Sequence, residues 1–518
     1  MKTIFNALVF LILSCTLSQA QSVLTVTNLN DSGTGSFRQM IANANSGDVI
    51  AFDNSLAGGT IVLTTGNIAF NKNLTILGLG HNQITVSGNN NSRILNITGG
   101  SVFIRDIRFI NGVQNQSLDN NGGAILYDGS NGNLHLSNVH IRNCTAVNNN
   151  GSQGGGVAFY SSGGIFRADS CLVRNCTADN FGSAMVFNSG PSQVHINYCF
   201  IDSNNTGGQG SIFSNSSKMH FRNSTLANNY SSGNYAGIVW STYNNTDSVF
   251  YVNSTFSNNT ALYPNSILVQ QGGHLSLINC TLKGNNEPLK YQPMMMPYQM
   301  LLQNNIFNST GTNFVNNYWS TPLITSYGGN ISSDNTMLSF LDSTNDLNNV
   351  NPLLDNLASN GAFTPTHALQ NGSPAIGNGM NAGAPLVDQR GITRSIPYSS
   401  GAYQEFSTPG LTVSITSNTP ACAGSTLSLT ATDTPGATYV WSGPSGFTAN
   451  TRIISLSNAT TNMAGVYTVT ATLNQATGTA TTTVSVSTLS VNSGVTNLVC
   501  SGFNTGNISL SVSGGTSP

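Results

Sequence analysis

The sequence is short of charge. Lys, Arg, Asp and Glu make up 7% of its 518 residues, against roughly a quarter in an ordinary soluble protein. Its 16 basic and 18 acidic residues leave a formal net charge of −2. That leaves no basic excess to displace counterions from a phosphate backbone, which argues against nucleic acid as a partner. Past the first twenty residues, no apolar run reaches the ~18 residues that suggest a membrane span, so no transmembrane segment is expected in the mature chain. C-x-x-C and Cys/His ligand spacings are missing too, which argues against a structural zinc site. Neither metal nor cofactor is expected. Nor does a helical period run through the chain. With 39% hydrophobic residues it is nevertheless too apolar to be a disordered polyelectrolyte.

What the chain does have is 54 glycines and an abundance of Asn, Ser and Thr, a surface chemistry typical of secreted β-proteins. Residues 1–20 have the form of a signal peptide: Lys2, an apolar stretch from Ile4 to Leu13, then the small-x-small site Ser18-Gln19-Ala20. Cleavage near Ala20 places the mature protein outside the cell, secreted or on a bacterial surface. Cys15 offers an alternative lipoprotein site, for which Leu13 is a poor fit. Seven cysteines follow (Cys144, Cys171, Cys176, Cys199, Cys280, Cys422 and Cys500), and export permits disulfides.

Internal repetition decides the fold class. An apolar-x-apolar phrase, then Asn, an apolar residue and Asn again, recurs through the middle of the chain. Anchored on its second apolar element it gives Ile76, Phe109, Ile141, Val173, Ile201, Leu226, Phe256, Leu282 and Ile306, at intervals of 24 to 33 residues. Small-residue runs such as Gly122-Gly123-Ala124 and Gly154-Gly155-Gly156 keep the same beat. Short strands in repeats of variable length predict an all-β, right-handed parallel β-helix. Leucine-rich repeats and propeller blades have other periods.

Stacking the repeats gives two apolar columns, Leu134–Phe166–Val194–Met219–Val249–Leu275 and Leu136–Ala168–Ile196–Phe221–Tyr251–Leu277, which face the core. Between them runs a mostly polar column, His135–Arg167–His195–His220–Phe250–Ser276, expected to face solvent. Asn138, Asn223, Asn253 and Asn279 fall at a corner. There Asn tolerates a left-handed backbone, and its amide is expected to bond the neighbouring coil's backbone. Cys144 with Cys176, and Cys171 with Cys199, share positions in adjacent coils. Stacking at ~4.8 Å brings each pair within Cα range of a disulfide. Cys144–Cys176 is the preferred bridge, while Cys171 and Cys199 can equally pack as apolar residues.

Thr25-Val26-Thr27 through Asp31-Ser32-Gly33 to Gly35-Ser36-Phe37-Arg38, followed by Gly47-Asp48-Val49-Ile50-Ala51-Phe52, resembles the start of β-helix proteins related to polymorphic outer-membrane proteins. Ser36 would N-cap a short helix that turns Phe37 and Ile41 inward and plugs the core. Gly372-Ser373-Pro374-Ala375-Ile376, Asp388-Gln389-Arg390-Gly391 and Gly401-Ala402-Tyr403-Gln404-Glu405 resemble the far end of the same family. Gly377 stands where the family usually has Asp. The resemblance implies a secreted or displayed protein with adhesion or carbohydrate roles, and supplies no catalytic residue. After it, Tyr439-Val440-Trp441 and Ala464-Gly465-Val466-Tyr467 resemble the C and F strands of a bacterial Ig-like sandwich. Residues 498–516 resemble the start of a gliding-motility adhesin repeat, which suggests a fragment of a longer protein. The expected division is 1–20 signal peptide, 21–408 β-helix, 409–488 Ig-like sandwich and 489–518 partial β-repeat.

Catalytic signatures of β-helix polysaccharide enzymes are missing. Asp106, Asp128, Asp169, Asp202 and Asp247 fall in different columns, with no paired acid–base set. The best constellation is cationic: Arg167, His195, Lys218, His220, Arg222, Phe250 and His274 gather on one outward face, suited to the carboxylates or sulfates of an acidic polysaccharide. Its affinity is expected to rise below about pH 6.5 as the histidines gain charge. Adhesion or glycan binding is the leading expectation. A polysaccharide lyase or hydrolase on the same scaffold and an unliganded structural stalk are the alternatives. Met294-Met295-Met296 and the Tyr318-Trp319 pair fit loop and core packing better than a copper site or a sugar platform.

Overall fold

The computed structural model describes residues 21–518, apart from 115–120, 148–150, 189, 191–192, 216–217, 234–237, 242–247, 263–266, 271–272, 292–297, 317–322, 406–410, 474–475, 498–505 and 515–518. The signal peptide, Met294–Met296, Tyr318, Trp319, Cys500 and Asp247 therefore lie outside the described residues. The chain divides into two compact units, Met1–Glu405 and Phe406–Pro518.

The first unit is a parallel β-solenoid. One coil runs through strands Gln193–Asn197, Phe200–Asp202, Asn205–Thr206 and Ile212–Ser214, and the next through Lys218–Arg222, Thr225–Ala227, Tyr230–Ser231 and Val239–Ser241. Each strand pairs in parallel with its counterpart one coil away. Four ladders result. The first and second strands of each coil make two faces, here called A and B. The third makes a short ledge, and the fourth a ten-stranded sheet. The two predicted apolar columns stack in register, and their residues are all buried. Period-two alternation sends them into one continuous core while their neighbours on each strand face outward.

The corners between A and B explain the asparagines. Asp106, Asn138, Ser170, Tyr198, Asn223, Asn253, Asn279 and Asn304 all hold φ between 48° and 58°, a left-handed bend that Asn adopts at low cost. The expectation for their amides needs correction. Asn138 donates to the Asp106 carboxylate at 2.7 Å, and Asn253 and Asn304 to the amides of Asn223 and Asn279 at 3.2 Å. The side chains bond each other, not the neighbouring coil's backbone. A second, fully buried ladder of Asn204, Asn229, Asn259 and Asn285 links successive coils at 2.9, 2.9 and 3.1 Å. Each oxygen also takes a backbone N–H of the preceding coil, so no polar group of this ladder is left wanting.

Cys144 and Cys176 stand at the head of that inner ladder: Cys176 N–H donates to Asn204 at 2.9 Å, and Gly112 N–H to the Cys144 sulfur at 3.4 Å. Cys144, Cys171, Cys176, Cys199 and Cys280 are buried free thiols, and Cys422 is an exposed one. The expected Cys144–Cys176 bridge is not formed. In-register stacking keeps the two Cβ atoms roughly a strand spacing apart, ~4.8 Å, wider than the ~3.8 Å of a disulfide. Matching Cα positions is therefore not enough. Burial raises the Cys144 and Cys199 thiol pKa values well above normal.

At the amino end, helix Phe37–Asn43 is capped by Ser36, whose hydroxyl accepts from Gln39 N–H at 3.2 Å, and it buries Phe37 and Ile41 as expected. Asp31 pairs with Arg38 at 2.6 Å and also accepts from Thr64 and Thr65. Partial burial pushes its pKa up, but these hydrogen bonds win and hold it far below the usual carboxylate range. At the other end Met337 and Leu341 join the core. Residues 353–405 then return along the outside of face B as a clasp. Gln389 bridges Thr225 and Thr255, and Arg394 reaches Asn253 at 2.9 Å. The family-like residues Asp388 and Arg390 pair at 2.7 Å within this clasp.

The second unit holds two antiparallel sheets, of three strands (Ile415–Ser417, Leu427–Ala431, Ile453–Leu456) and four strands (Thr448–Ala449, Thr438–Ser442, Gly465–Leu473, Ala476–Val484). Trp441 is fully buried in their common core, and its indole N–H donates to Thr451 O at 2.8 Å. Tyr467 OH reaches back to Met463 O at 3.1 Å, the backward bond of a tyrosine corner. Strands Leu489–Thr496 and Asn507–Gly514 form an antiparallel hairpin.

Candidate functional site

Face A presents one outward column along ten coils: Thr75, Phe103, His135, Arg167, His195, His220, Phe250, Ser276, Leu301 and Thr325. Three concavities line up on it. The first, of about 210 Å³, includes Thr75, Phe103 and His135. The second, of about 260 Å³, is formed by Arg167, Asp169, His195, Ile196, Asn197, His220 and Arg222. The third, of about 380 Å³, includes Ser276, Leu301 and Tyr327 and is walled by Met380 and Gly383. The face is thus a track that is cationic in the middle and apolar at the far end.

The structure brings the sequence-selected residues together. Lys218, His220 and Arg222 alternate outward on one strand, with Met219 and Phe221 buried between them. His195 and His220 stack at 5.1 Å with planes 7° apart, and His220 and Phe250 at 4.9 Å and 8°. Phe250 meets His274 at 6.0 Å on the adjoining column. Ring faces in such a stack are occupied by each other. The column therefore presents ring edges and not a flat sugar platform. His195 Nε2 already contacts the Gln193 amide at 2.9 Å and His220 Nδ1 is buried, so each imidazole has at most one nitrogen for a ligand. Arg167, Lys218 and Arg222 are exposed.

The histidines are less basic than their type suggests. Burial, then the charges of Arg167, His220 and Arg222, lowers the pKa of His195. Burial and the neighbours Arg222 and Lys218 do the same to His220, and burial lowers His274. At neutral pH the rings are uncharged, and the fixed positive charge of the groove comes from the arginines and Lys218.

One groove residue escaped the sequence reading. Asp169, which shares no column with another aspartate, stands in the central concavity. His135 Nε2 contacts its carboxylate at 2.8 Å, and Asn197 donates to it at 3.2 Å. The His135 bond, outweighing partial burial, lowers its pKa. The signal was available: Asp169 follows Arg167 by two positions, so strand alternation turns both outward. Among the described residues no cluster of three or more His, Cys, Asp and Glu is arranged to hold a metal ion, and no helix is long and apolar enough to cross a membrane.

No family model matches the chain, and no curated protein matches it. Among solved structures it is similar to the PL6 family alginate lyase AlyGC, with 14% identity over 60% of this chain and a TM-score of 0.31. It is also similar to a PL6 family polysaccharide lyase from Pseudopedobacter saltans, with 12% identity over 60% of this chain and a TM-score of 0.32. The chain spans 51% of the first protein and 84% of the second.

Proposed function

We propose that this is an exported protein, secreted or displayed on a bacterial surface, that binds a linear acidic polysaccharide along face A. One observation carries the reading: three concavities share a single column, and the middle one is ringed by Arg167, His195, His220 and Arg222. A track of this kind suits an extended chain better than a compact ligand. Successive coils repeat at ~4.8 Å, so side chains of one column meet charges spaced along a polymer. Guanidinium groups supply bidentate forks for carboxylate or sulfate, and Lys218 a point charge.

The test is calorimetric titration of the mature chain with a polyuronate, a sulfated glycan and a neutral glucan. Binding of an acidic chain is expected, weakening as salt rises because exposed charge contacts are screened over about 8 Å at physiological ionic strength. The double variant Lys218→Glu/Arg222→Glu should lose at least tenfold in affinity with its melting temperature unchanged. Affinity should rise on acidification only below pH 6.5, since the lowered histidine pKa values delay protonation. Unsaturated or shortened products in the same mixtures would make the protein a lyase or hydrolase. Neither binding nor turnover with any acidic glycan would leave face A as plain surface and the solenoid as a stalk.

A further inference from the structure

Face B carries a second concentration of positive charge, on coils upstream of the clasp contacts at Thr225 and Thr255. Strands Val102–Ile110, Leu134–Arg142, Leu172–Arg174 and Phe200–Asp202 run side by side there. In register, Arg108 lies beside His140, and Arg142 beside Arg174, which lies beside Asp202. Only Arg174 has a carboxylate, Asp202 at 2.6 Å, and the other oxygen of that carboxylate takes the Asn228 amide at 2.9 Å. No acidic partner serves Arg108 or Arg142 among the described residues, and the Nε of each is buried without a hydrogen-bond partner.

Below them sits His140, 4% exposed, with both ring nitrogens unpartnered. His81 stacks on its ring at 3.7 Å, and Phe363, at the tip of the clasp, lies 5.9 Å away. Phe200 lies under Arg174 at 5.2 Å. Burial first, and then His81, Arg142, Arg108 and Arg174, lower the pKa of His140 to about 3. The imidazole is therefore neutral and adds no charge, but one of its nitrogens is a donor. Three guanidinium groups thus gather around a neutral ring, and the one carboxylate beside them, Asp202 on the far side of Arg174, is already engaged. Like charges gathered in a partly desolvated place repel unless an anion joins them, and unpaired donors of this kind call for an acceptor.

We propose that Arg108, Arg142 and Arg174, over His140, form a binding site for a sulfate- or phosphate-type oxyanion, free or carried as an ester on a glycan. The site lies on face B, one corner from the face A track, and does not depend on that reading. Guanidinium forks match such oxygens bidentately, which lysines would not.

The experiment is isothermal titration of the mature chain with millimolar sodium sulfate and sodium phosphate. Sodium chloride at matched ionic strength serves as the blank, and a sulfated monosaccharide as a further arm. Saturable binding of sulfate or phosphate by the wild-type chain is expected, weakened at least tenfold in Arg108→Gln/Arg142→Gln and retained in Lys218→Glu/Arg222→Glu. Arg142→Lys keeps the charge and loses the fork, and should also weaken binding if the glutamine variant fails to fold. Tighter binding of the sulfated sugar than of inorganic sulfate would identify the ester as the source. Equal binding would identify the free anion. Wild-type chain with no saturable signal above chloride, or with a signal that Arg108→Gln/Arg142→Gln and Arg142→Lys leave intact, would overturn the proposal.

Discussion

Faces A and B are made by the same coils, one corner apart, and alternate in the same way, yet they have different outer surfaces. Face A displays cations and stacked rings over its middle coils, and among the described residues the clasp touches it only at the far end, where Met380 and Gly383 wall the third concavity. Over its downstream coils face B turns out small hydroxyl residues, Thr225, Thr255, Thr281 and Ser257, and a clasp lies on them. Gln389 bridges two of the threonines, Ala402 N–H donates to Thr281 at 3.0 Å, and His367 contacts Ser257 at 3.0 Å. Even the corner asparagines serve the clasp, since Asn253 and Asn279 donate to the backbone of Val387 and Ser399. A solenoid coil has identical inward needs on each face. What it turns outward decides whether the face receives the protein's own chain or is left for a ligand.

The sharpest way to break this comparison is to invert inward and outward. Ile196 is fully buried beside Ala168 and Phe221. Ile196→Asp should cost several kcal/mol, because an ionised carboxylate there has no partner, and His195→Asp, one residue away, should fold. Equal losses in thermal melts would mean that the strand faces are assigned the wrong way round.

Acid should unfasten face B before face A. His367, a clasp residue turned onto face B, has its pKa lowered to about 4, chiefly by burial, as His140 has to about 3. A histidine whose folded pKa is depressed contributes stability that is present above its unfolded pKa. That stability is lost progressively as pH falls from about 6.5 toward 4 and then 3. A loss on the order of a few kcal/mol over that window is expected in denaturant titrations. His367→Asn should flatten the upper part of the pH dependence, and an unchanged profile would remove His367 from the account.

Next in size is the clasp itself. Gln389→Ala leaves the Thr225 and Thr255 hydroxyls with a lost partner in a buried place and should cost about 1–3 kcal/mol. Protection of face B amides from hydrogen exchange should fall more than that of face A. Least affected should be face A, where Lys218→Gln should change stability by less than about 0.5 kcal/mol. Thiol chemistry divides by unit, not by face. In the native protein an alkylating reagent should label exposed Cys422 and spare Cys144, Cys171, Cys176, Cys199 and Cys280. Burial blocks access to all five, and in Cys144, Cys199 and Cys280 it also disfavours the thiolate.

Much of this was legible in the residues. Alternation around His135, Arg167, His195 and His220 placed every column of face A, because a strand's period of two leaves no freedom once the repeats are aligned. Ser36, Phe37 and Ile41 announced the cap, and Trp441 and Tyr467 the second unit's core. The arginines of face B were equally accessible. Arg142 and Arg174 each follow a repeat anchor, Ile141 and Val173, by one residue. Residues 353–405 were harder. Their contacts reach back over more than a hundred positions, as from Gln389 to Thr225, and no repeat or period marks where a returning strand lies.

The sequence by itself determined the solenoid, its inward columns and the outward set of face A, because these follow from local alternation repeated at a fixed beat. Only the tertiary structure decided three other things. The corner asparagines bond each other and the clasp, because their amides point sideways between coils. The stacked cysteines stay apart, because parallel Cβ vectors keep the strand spacing. Asp169 is engaged by His135 and Asn197 while Asp202 is spent on Arg174, because the partners of a carboxylate are set by coils some thirty residues away, and no local pattern records them.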